Sequence, residues 1–140
     1  MDASLEILRH LDFFKTFSDD EIEKILEVAE WVKADTSERI ITEGEDDLYL
    51  YLLIKGQVSV VKNSKVLAVL SAGDTFGEIN ALAGNPRTAH VVARDQCFCL
   101  RFDPLKINTL EPSIQLKFVK RILYTLASRL VNLDRRFVAL

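Results

Sequence analysis

Apolar positions near the N-terminus recur at helical spacing. Leu5, Leu8 and Leu11 outline a short helix, and Ile22, Ile25, Leu26 and Ala29 a second. Ser18-Asp19-Asp20-Glu21 marks the start of that second helix as a capping box, in which the Ser18 hydroxyl accepts from the Glu21 amide and the Glu21 carboxylate reaches back. From about Trp31 to Phe102 the period changes. Short β-prone runs fall at Arg39–Thr42, Tyr49–Ile54, Gln57–Val61, Val66–Leu70, Ala89–Ala93 and Cys97–Phe102. Turn residues separate them, at Glu43-Gly44-Glu45, Lys55-Gly56-Gln57, Lys62-Asn63-Ser64, Ala72-Gly73-Asp74 and Gly84-Asn85-Pro86. Gln57–Val61 and Val66–Leu70 read as a hairpin around Asn63-Ser64. Many short strands at roughly ten-residue spacing predict an antiparallel sandwich or jelly-roll barrel.

The chain then turns helical again. Pro104 suits the first turn of a short helix, and Pro112 opens another that no glycine or proline interrupts before Leu140. Val119, Leu123, Leu126, Leu130, Leu133, Phe137 and Leu140 alternate spacings of four and three along it. That seam predicts pairing with a second copy, since a helix packed only on its own domain shows a broader stripe. The predicted organisation is a single mainly β domain over 1–140. N-terminal helices occupy 1–30, a jelly-roll barrel 31–103, and C-terminal helices 104–140.

Composition narrows the function classes. A chain of 140 residues with 49% hydrophobic and 28% charged positions has material for one proper core. Its formal charge of −3 lacks the basic footprint of a general nucleic-acid binder. The charge is uneven, however. From Pro112 onward Lys117, Lys120, Arg121, Arg129, Arg135 and Arg136 face one acid, Asp134, and the plain expectation for such a helix is a solvated face. No apolar run is long enough to span a bilayer, and the N-terminal residues lack a signal peptide's basic start and apolar stretch, so a cytoplasmic protein is expected. Cys97 and Cys99 share a strand face and suit buried, inert thiols better than a redox pair. The two histidines, His10 and His90, are too far apart in sequence to suggest a metal centre, and His90 reads as a surface strand residue.

The chemistry concentrates between Gly73 and Val91. Phe76-Gly77-Glu78 ends a strand and opens a helical turn over Glu78–Leu82, whose first amides form an anion site that Gly77 lets a ligand approach closely. Gly84-Asn85-Pro86 then turns the chain back, so that Arg87 points into the same hollow. A guanidinium fork with backbone amides matches a phosphate diester. Glu78 beside it makes sense as an acceptor for a sugar hydroxyl and as a charge partner for Arg87.

Phe76-Gly77-Glu78-Ile79-Asn80-Ala81-Leu82, three further residues, then Pro86-Arg87-Thr88-Ala89 resemble the phosphate-binding cassette of the cyclic-nucleotide-binding domain family. That family includes catabolite activator proteins, cyclic-nucleotide-dependent kinases and nucleotide-gated channels. Ile41-Thr42-Glu43-Gly44-Glu45, Leu50-Tyr51 and Lys55-Gly56-Gln57-Val58 resemble the family's glycine-marked turns, and Leu11 to Phe17 its first helical segment. The resemblance implies a cassette over 76–89, with Glu78 on the ribose 2′-hydroxyl and Arg87 on the cyclic phosphate. Backbone amides of Gly77, Asn80 and Thr88 add phosphate contacts, and Phe76, Ile79 and Ala89 complete the cassette. Asn80 stands where a small apolar residue is usual and Ala81 where a larger aliphatic is usual; neither change removes a contacting side chain. The resemblance also implies that the last helix covers the base around Arg129, Leu130, Leu133 and Asp134, and that the ligand is cAMP in preference to cGMP. No cofactor or metal is implied.

Alternatives remain beside this reading. The Glu78/Arg87 pair equally fits a structural ion pair in a degenerate domain of the same fold. A cupin-type enzyme needs clustered histidines that the chain lacks, and no Ser-His-Asp or Cys-His arrangement is present. The family's transcription factors add a helix-turn-helix domain after the long helix, and none follows Leu140. A heptad seam still running at Leu140 fits an excised sensor of a larger regulator, channel or kinase, and equally a stand-alone protein acting on a partner.

Overall fold

The computed structural model describes residues 3–78 and 84–138, with side chains described as far as Asn132. Two N-terminal helices, α1 (Ala3–Arg9) and α2 (Asp19–Glu27), flank a 3₁₀ turn at Asp12–Phe14. The expected capping box is formed at α2: the Glu21 amide donates to the Ser18 hydroxyl at 3.2 Å, and the Ser18 amide to the Glu21 carboxylate at 2.9 Å. The helix stops at Glu27, and Ala29, expected to continue it, instead begins strand β1 (Ala29–Ala34). That strand pairs antiparallel and in full register with the last strand, from Ala29 opposite Phe102 to Ala34 opposite Cys97.

Seven more strands follow: β2 (Arg39–Ile41), β3 (Leu50–Lys55), β4 (Val58–Lys62), β5 (Lys65–Leu70), β6 (Thr75–Phe76), β7 (His90–Ala93) and β8 (Cys97–Phe102). They form two four-stranded antiparallel sheets, ordered β1-β8-β3-β6 and β2-β7-β4-β5. This is the expected mainly β, jelly-roll-like arrangement, open as a sandwich rather than hydrogen-bonded into a closed barrel. At the β4–β5 hairpin Asn63 and Ser64 adopt φ of 51° and 61°. Two successive left-handed residues are what a tight type I′ turn demands, and Asn tolerates that region better than most side chains.

The period-2 alternation of β3 and β8 divides the interior into two cores. Leu50, Leu52 and Ile54, with Leu100 and Phe102, face outward onto α1, α2 and the C-terminal helices. Tyr51 and Leu53, with Cys97 and Cys99, face inward between the sheets, joined by Ile41, Val58, Leu70, Phe76, Val91 and Ala93. Buried on both faces, β3 reads as a continuous apolar run. Both cysteines are buried and free, and burial pushes the Cys99 thiol up to about 12, which makes it unreactive.

Two helices close the domain, α3 (Pro104–Ile107) and α4 (Pro112–Val138). Ile114 and Phe118 are buried and Ile122 partly buried in the outer core, with Phe118 edge-on to Phe102 at 5.0 Å. Buried Thr125 continues that face, and further positions on the same helical face are Arg129 and Asn132. Of the basic residues of α4, Lys120 is exposed, whereas Lys117 pairs with Glu21 at 2.8 Å and Arg121 with Asp12 at 2.7 Å, tying α4 to the N-terminal segment; the side chains of Arg135 and Arg136 lie outside the described residues. The predicted heptad face lies one position round. Val119, Leu123 and Leu130 are exposed and Leu126 is partly buried, while Leu133, Phe137 and Leu140 lie outside the described side chains. Among the described residues no helix is long and apolar enough to cross a membrane.

Candidate ligand site at Glu78 and Arg87

The site lies where β6 ends against β3 and the segment 84–88 returns beneath the β2–β3 loop. Two main-chain hydrogen bonds pin that segment: the Arg87 amide donates to Glu45 O and the Gly44 amide to Arg87 O, both at 2.8 Å. The neighbouring Glu43 amide donates to His90 Nδ1 at 3.0 Å. His90 is therefore a partner that ties β7 to the loop, with Nδ1 unprotonated, and not merely a surface residue.

Arg87 is almost completely buried, its side chain 1% exposed. Nη1 donates to Gly77 O at 2.9 Å and Nη2 to Tyr49 O at 2.6 Å. Nε and Nη2 also grip the two carboxylate oxygens of Asp47, at 3.2 Å and 2.5 Å. This fork-to-fork pair is the strong bidentate kind. Gly77 is what allows it. Its φ is +80°, and a Cβ there would lie 2.8 Å from both Arg87 Nη1 and Tyr49 O.

Glu78 is also buried, at 4% exposure, but Arg87 is not its ion-pair partner. Its Oε1 accepts from Arg129 Nη1 at 3.1 Å, and Arg129 Nη2 donates to the carbonyl oxygen of Thr75. The expected Glu78–Arg87 charge pair is thus replaced by two separate ones, Arg87 with Asp47 and Glu78 with Arg129. The fold places a nearer cation and a nearer carboxylate at each group. Burial raises the Glu78 carboxyl above the usual carboxylate range, opposed by its own backbone amide and by the charges of Arg129 and Arg87. Among the described residues its Oε2 is buried without a hydrogen-bond partner.

The remaining predicted positions divide. Phe76 is buried on the inner core, its ring stacked on Tyr51 at 5.0 Å. Thr88 is exposed and Ala89 partly buried just before β7. Arg129 reaches the site, whereas Leu130 points away, 59% exposed. Ile79 and Asn80 lie outside the described residues, as do the side chains of Leu133 and Asp134. Asp47 was not singled out from the sequence. Beside Arg129 runs a groove of about 400 Å³ between β5 and α4, lined by Leu67, Ala68, Val69, Leu70, Asp74, Arg129 and Asn132.

The structure thus brings a buried guanidinium, a buried carboxylate and the close-packed Gly77 together at one place. The family model for the cyclic nucleotide-binding domain matches residues 31–110, more than half of the chain. The chain belongs to the cyclic nucleotide-binding domain family. The matched module is a regulatory binding domain, not a catalytic one. Among curated proteins, a cGMP-dependent protein kinase of Toxoplasma gondii is 34% identical over 87 residues, covering 62% of this chain and 9% of the kinase. A cAMP-dependent protein kinase regulatory subunit of Yarrowia lipolytica is 26% identical over 103 residues, 74% of this chain and 28% of the subunit. The chain therefore spans only a minor part of these relatives. A solved cyclic nucleotide-binding domain from Methylobacillus flagellatus superposes with a TM-score of 0.83 at 26% identity, covering 96% of this chain and 80% of that one.

Proposed function

We propose that the domain is a non-catalytic cyclic-nucleotide sensor that prefers cAMP to cGMP and signals through α4. In this reading Arg87 holds the cyclic phosphate and Glu78 the ribose 2′-hydroxyl. The amides of Gly77, Asn80 and Thr88 add donors, and Phe76, Ile79 and Ala89 shape the cassette. The observation that carries the reading is Glu78 Oε2, buried and without a donor among the described residues, beside a buried guanidinium. A ribose hydroxyl supplies the missing donor and a phosphate the anion.

Arg129 connects this site to the output. It bridges α4 to Glu78 and to Thr75, so a sugar arriving at Glu78 meets a contact that restrains the helix. Ligand then shifts the population of α4 positions by the difference in its affinity for them. The exposed Val119, Leu123 and Leu130 support pairing of α4 with a second copy, and a cytoplasmic setting suits such a sensor.

A second reading has its own support. Arg87 and Glu78 each already hold a protein partner, as they would in a degenerate domain that acts only as an interaction or dimerisation module. Thermal unfolding with cAMP, cGMP and cyclic dinucleotides separates the two. A sensor is stabilised by one of them at micromolar to millimolar dose and not by 5′-AMP; a degenerate domain melts at one temperature in every case.

A further inference from the structure

A further guanidinium, not yet given a role, stands behind the Arg87–Asp47 pair. Arg101, on β8, lies in register between Glu30 on β1 and Tyr51 on β3. Its Nη2 donates to Glu30 Oε2 at 2.5 Å, and its guanidinium carbon lies 4.4 Å from the centroid of the Tyr49 ring. That is well inside the roughly 6 Å over which an aromatic face attracts a cation. Arginine suits the position, because its planar fork can lie flat on a ring and hold a carboxylate at the same time. Both members of the Glu30–Arg101 pair are partly exposed, at 47% and 31%, so the pair itself contributes little to folding. Its consequence lies in what the ring is attached to.

The Tyr49 main chain touches both members of the buried ion pair. Its amide donates to Asp47 Oδ1 at 3.3 Å, and its carbonyl oxygen accepts from Arg87 Nη2 at 2.6 Å. The direction of that carbonyl therefore helps to aim the Arg87 fork. Yet Tyr49 lies just outside β3, whose ladder begins at Leu50, and on its other side Leu48 is exposed. Strand pairing does not set the orientation of Tyr49; the ring held under Arg101 does.

We infer that Arg101, braced by Glu30, is a positioning residue for the ligand's phosphate, acting through Tyr49 on Arg87, an assignment that rests on the cyclic-nucleotide reading of Arg87. The test is calorimetric titration of cAMP and cGMP into wild type, Arg101→Met, Arg87→Lys and the double variant. Methionine keeps an apolar stem against the ring and removes the charge. Arg101→Met should weaken the nucleotide about 2–30-fold, the span of a cation–π contact from exposed to desolvated settings. In the Arg87→Lys background, which lacks the fork that Tyr49 O aims, the same change should cost less than about twofold. Arg101→Lys returns a cation to the ring and should recover part of the loss. A residue that only supports the fold would lower the melting temperature and leave the affinity of the folded chain unchanged. Equal losses in the two backgrounds would show that Arg101 acts apart from Arg87. Either result overturns the assignment. Should Arg101→Met fail to fold, Glu30→Gln alters a half-exposed group and carries the same test, with a smaller loss that again vanishes in Arg87→Lys. If wild type binds neither nucleotide, the sensor reading fails as well.

Discussion

Arg87→Lys separates the structural from the ligand-binding role of the guanidinium. Lysine retains the charge beside Asp47, so no buried ion is left uncompensated, but its single nitrogen cannot serve Asp47, Gly77 O and Tyr49 O at once. Losing at least one hydrogen bond to a charged group costs about 2 kcal/mol. A chain of this size unfolds with an entropy near 0.3 kcal/mol/K, so the ligand-free Tm should fall by about 7 °C. The effect on ligand is separate. Lysine offers a phosphate one nitrogen in place of the guanidinium fork, and losing a hydrogen bond to a charged group costs about 2 kcal/mol of affinity, a factor of about 30 in Kd. Wild type at 100 times its Kd gains about 2.7 kcal/mol, a Tm rise of about 9 °C. The variant at the same ligand concentration sits at about 3 Kd or below and should rise by less than about 3 °C. Paired thermal scans with and without cAMP read both effects. A variant that melts lower yet keeps the full ligand-induced rise refutes the phosphate role and leaves Arg87 as a strut for the β2–β3 loop. A variant whose ligand-free Tm does not move refutes the strut.

Gly77→Ala should lower the melting temperature and abolish the nucleotide response together, because its Cβ meets Arg87 Nη1 and Tyr49 O and its φ of +80° disfavours any side chain; circular dichroism melts and titration calorimetry check both. Glu78→Gln should change the pH dependence of stability. The wild-type carboxyl is raised on folding, so the native state binds its proton more tightly than the unfolded chain. The resulting stability is present below the ordinary carboxylate value and is lost as pH rises through the raised one. Urea titrations should therefore show wild type losing stability relative to the variant from about pH 4.5 upward. On α4, Leu123→Lys places a charge in the exposed seam without touching the inward face and should shift the mass seen by sedimentation from dimer toward monomer, whereas an unchanged mass in both chains counts against self-pairing.

The strands were legible because alternation and turn residues agreed, most plainly at the hairpin, where Asn63-Ser64 sits between two β-branched runs. β1 was obscured because Ala29 continues the period of α2, and β6 has two residues, too few to show any period. Gly77, Glu78 and Arg87 stood out because they fall in one short run, a strand end, a turn and a return, that resembles the family's cassette. Asp47 did not. It belongs to the acidic run Glu43-Gly44-Glu45-Asp46-Asp47, in which nothing local distinguishes one carboxylate from the next, and only the return of the segment 84–88 beneath that loop selects it. Arg129 was a nearer case. The inward stripe of Ile114, Phe118, Ile122 and Thr125 leads to it at helical spacing, but that stripe interleaves with the heptad positions, so α4 read as a single seam when it carries two faces.

In the proposed sensor those two faces would give α4 its leverage. The inward face ends in the Arg129–Glu78 contact and the outward face presents Val119, Leu123 and Leu130, and both belong to one continuous helix. A ligand that changes how Arg129 holds Glu78 must bias the position of the helix, and a partner seated on the outward face must bias the same equilibrium. The coupling is reciprocal, so each alters the affinity of the other by one common factor. If nucleotide strengthens self-association of the wild-type chain, dimer must bind nucleotide more tightly than monomer by that same factor. Arg129→Ala should remove the linkage while leaving both the seam and the Arg87–Asp47 pair intact. Calorimetric titrations at protein concentrations above and below the dimer dissociation constant should then converge for Arg129→Ala and diverge for wild type, and convergence in both would mean that α4 does not carry the signal.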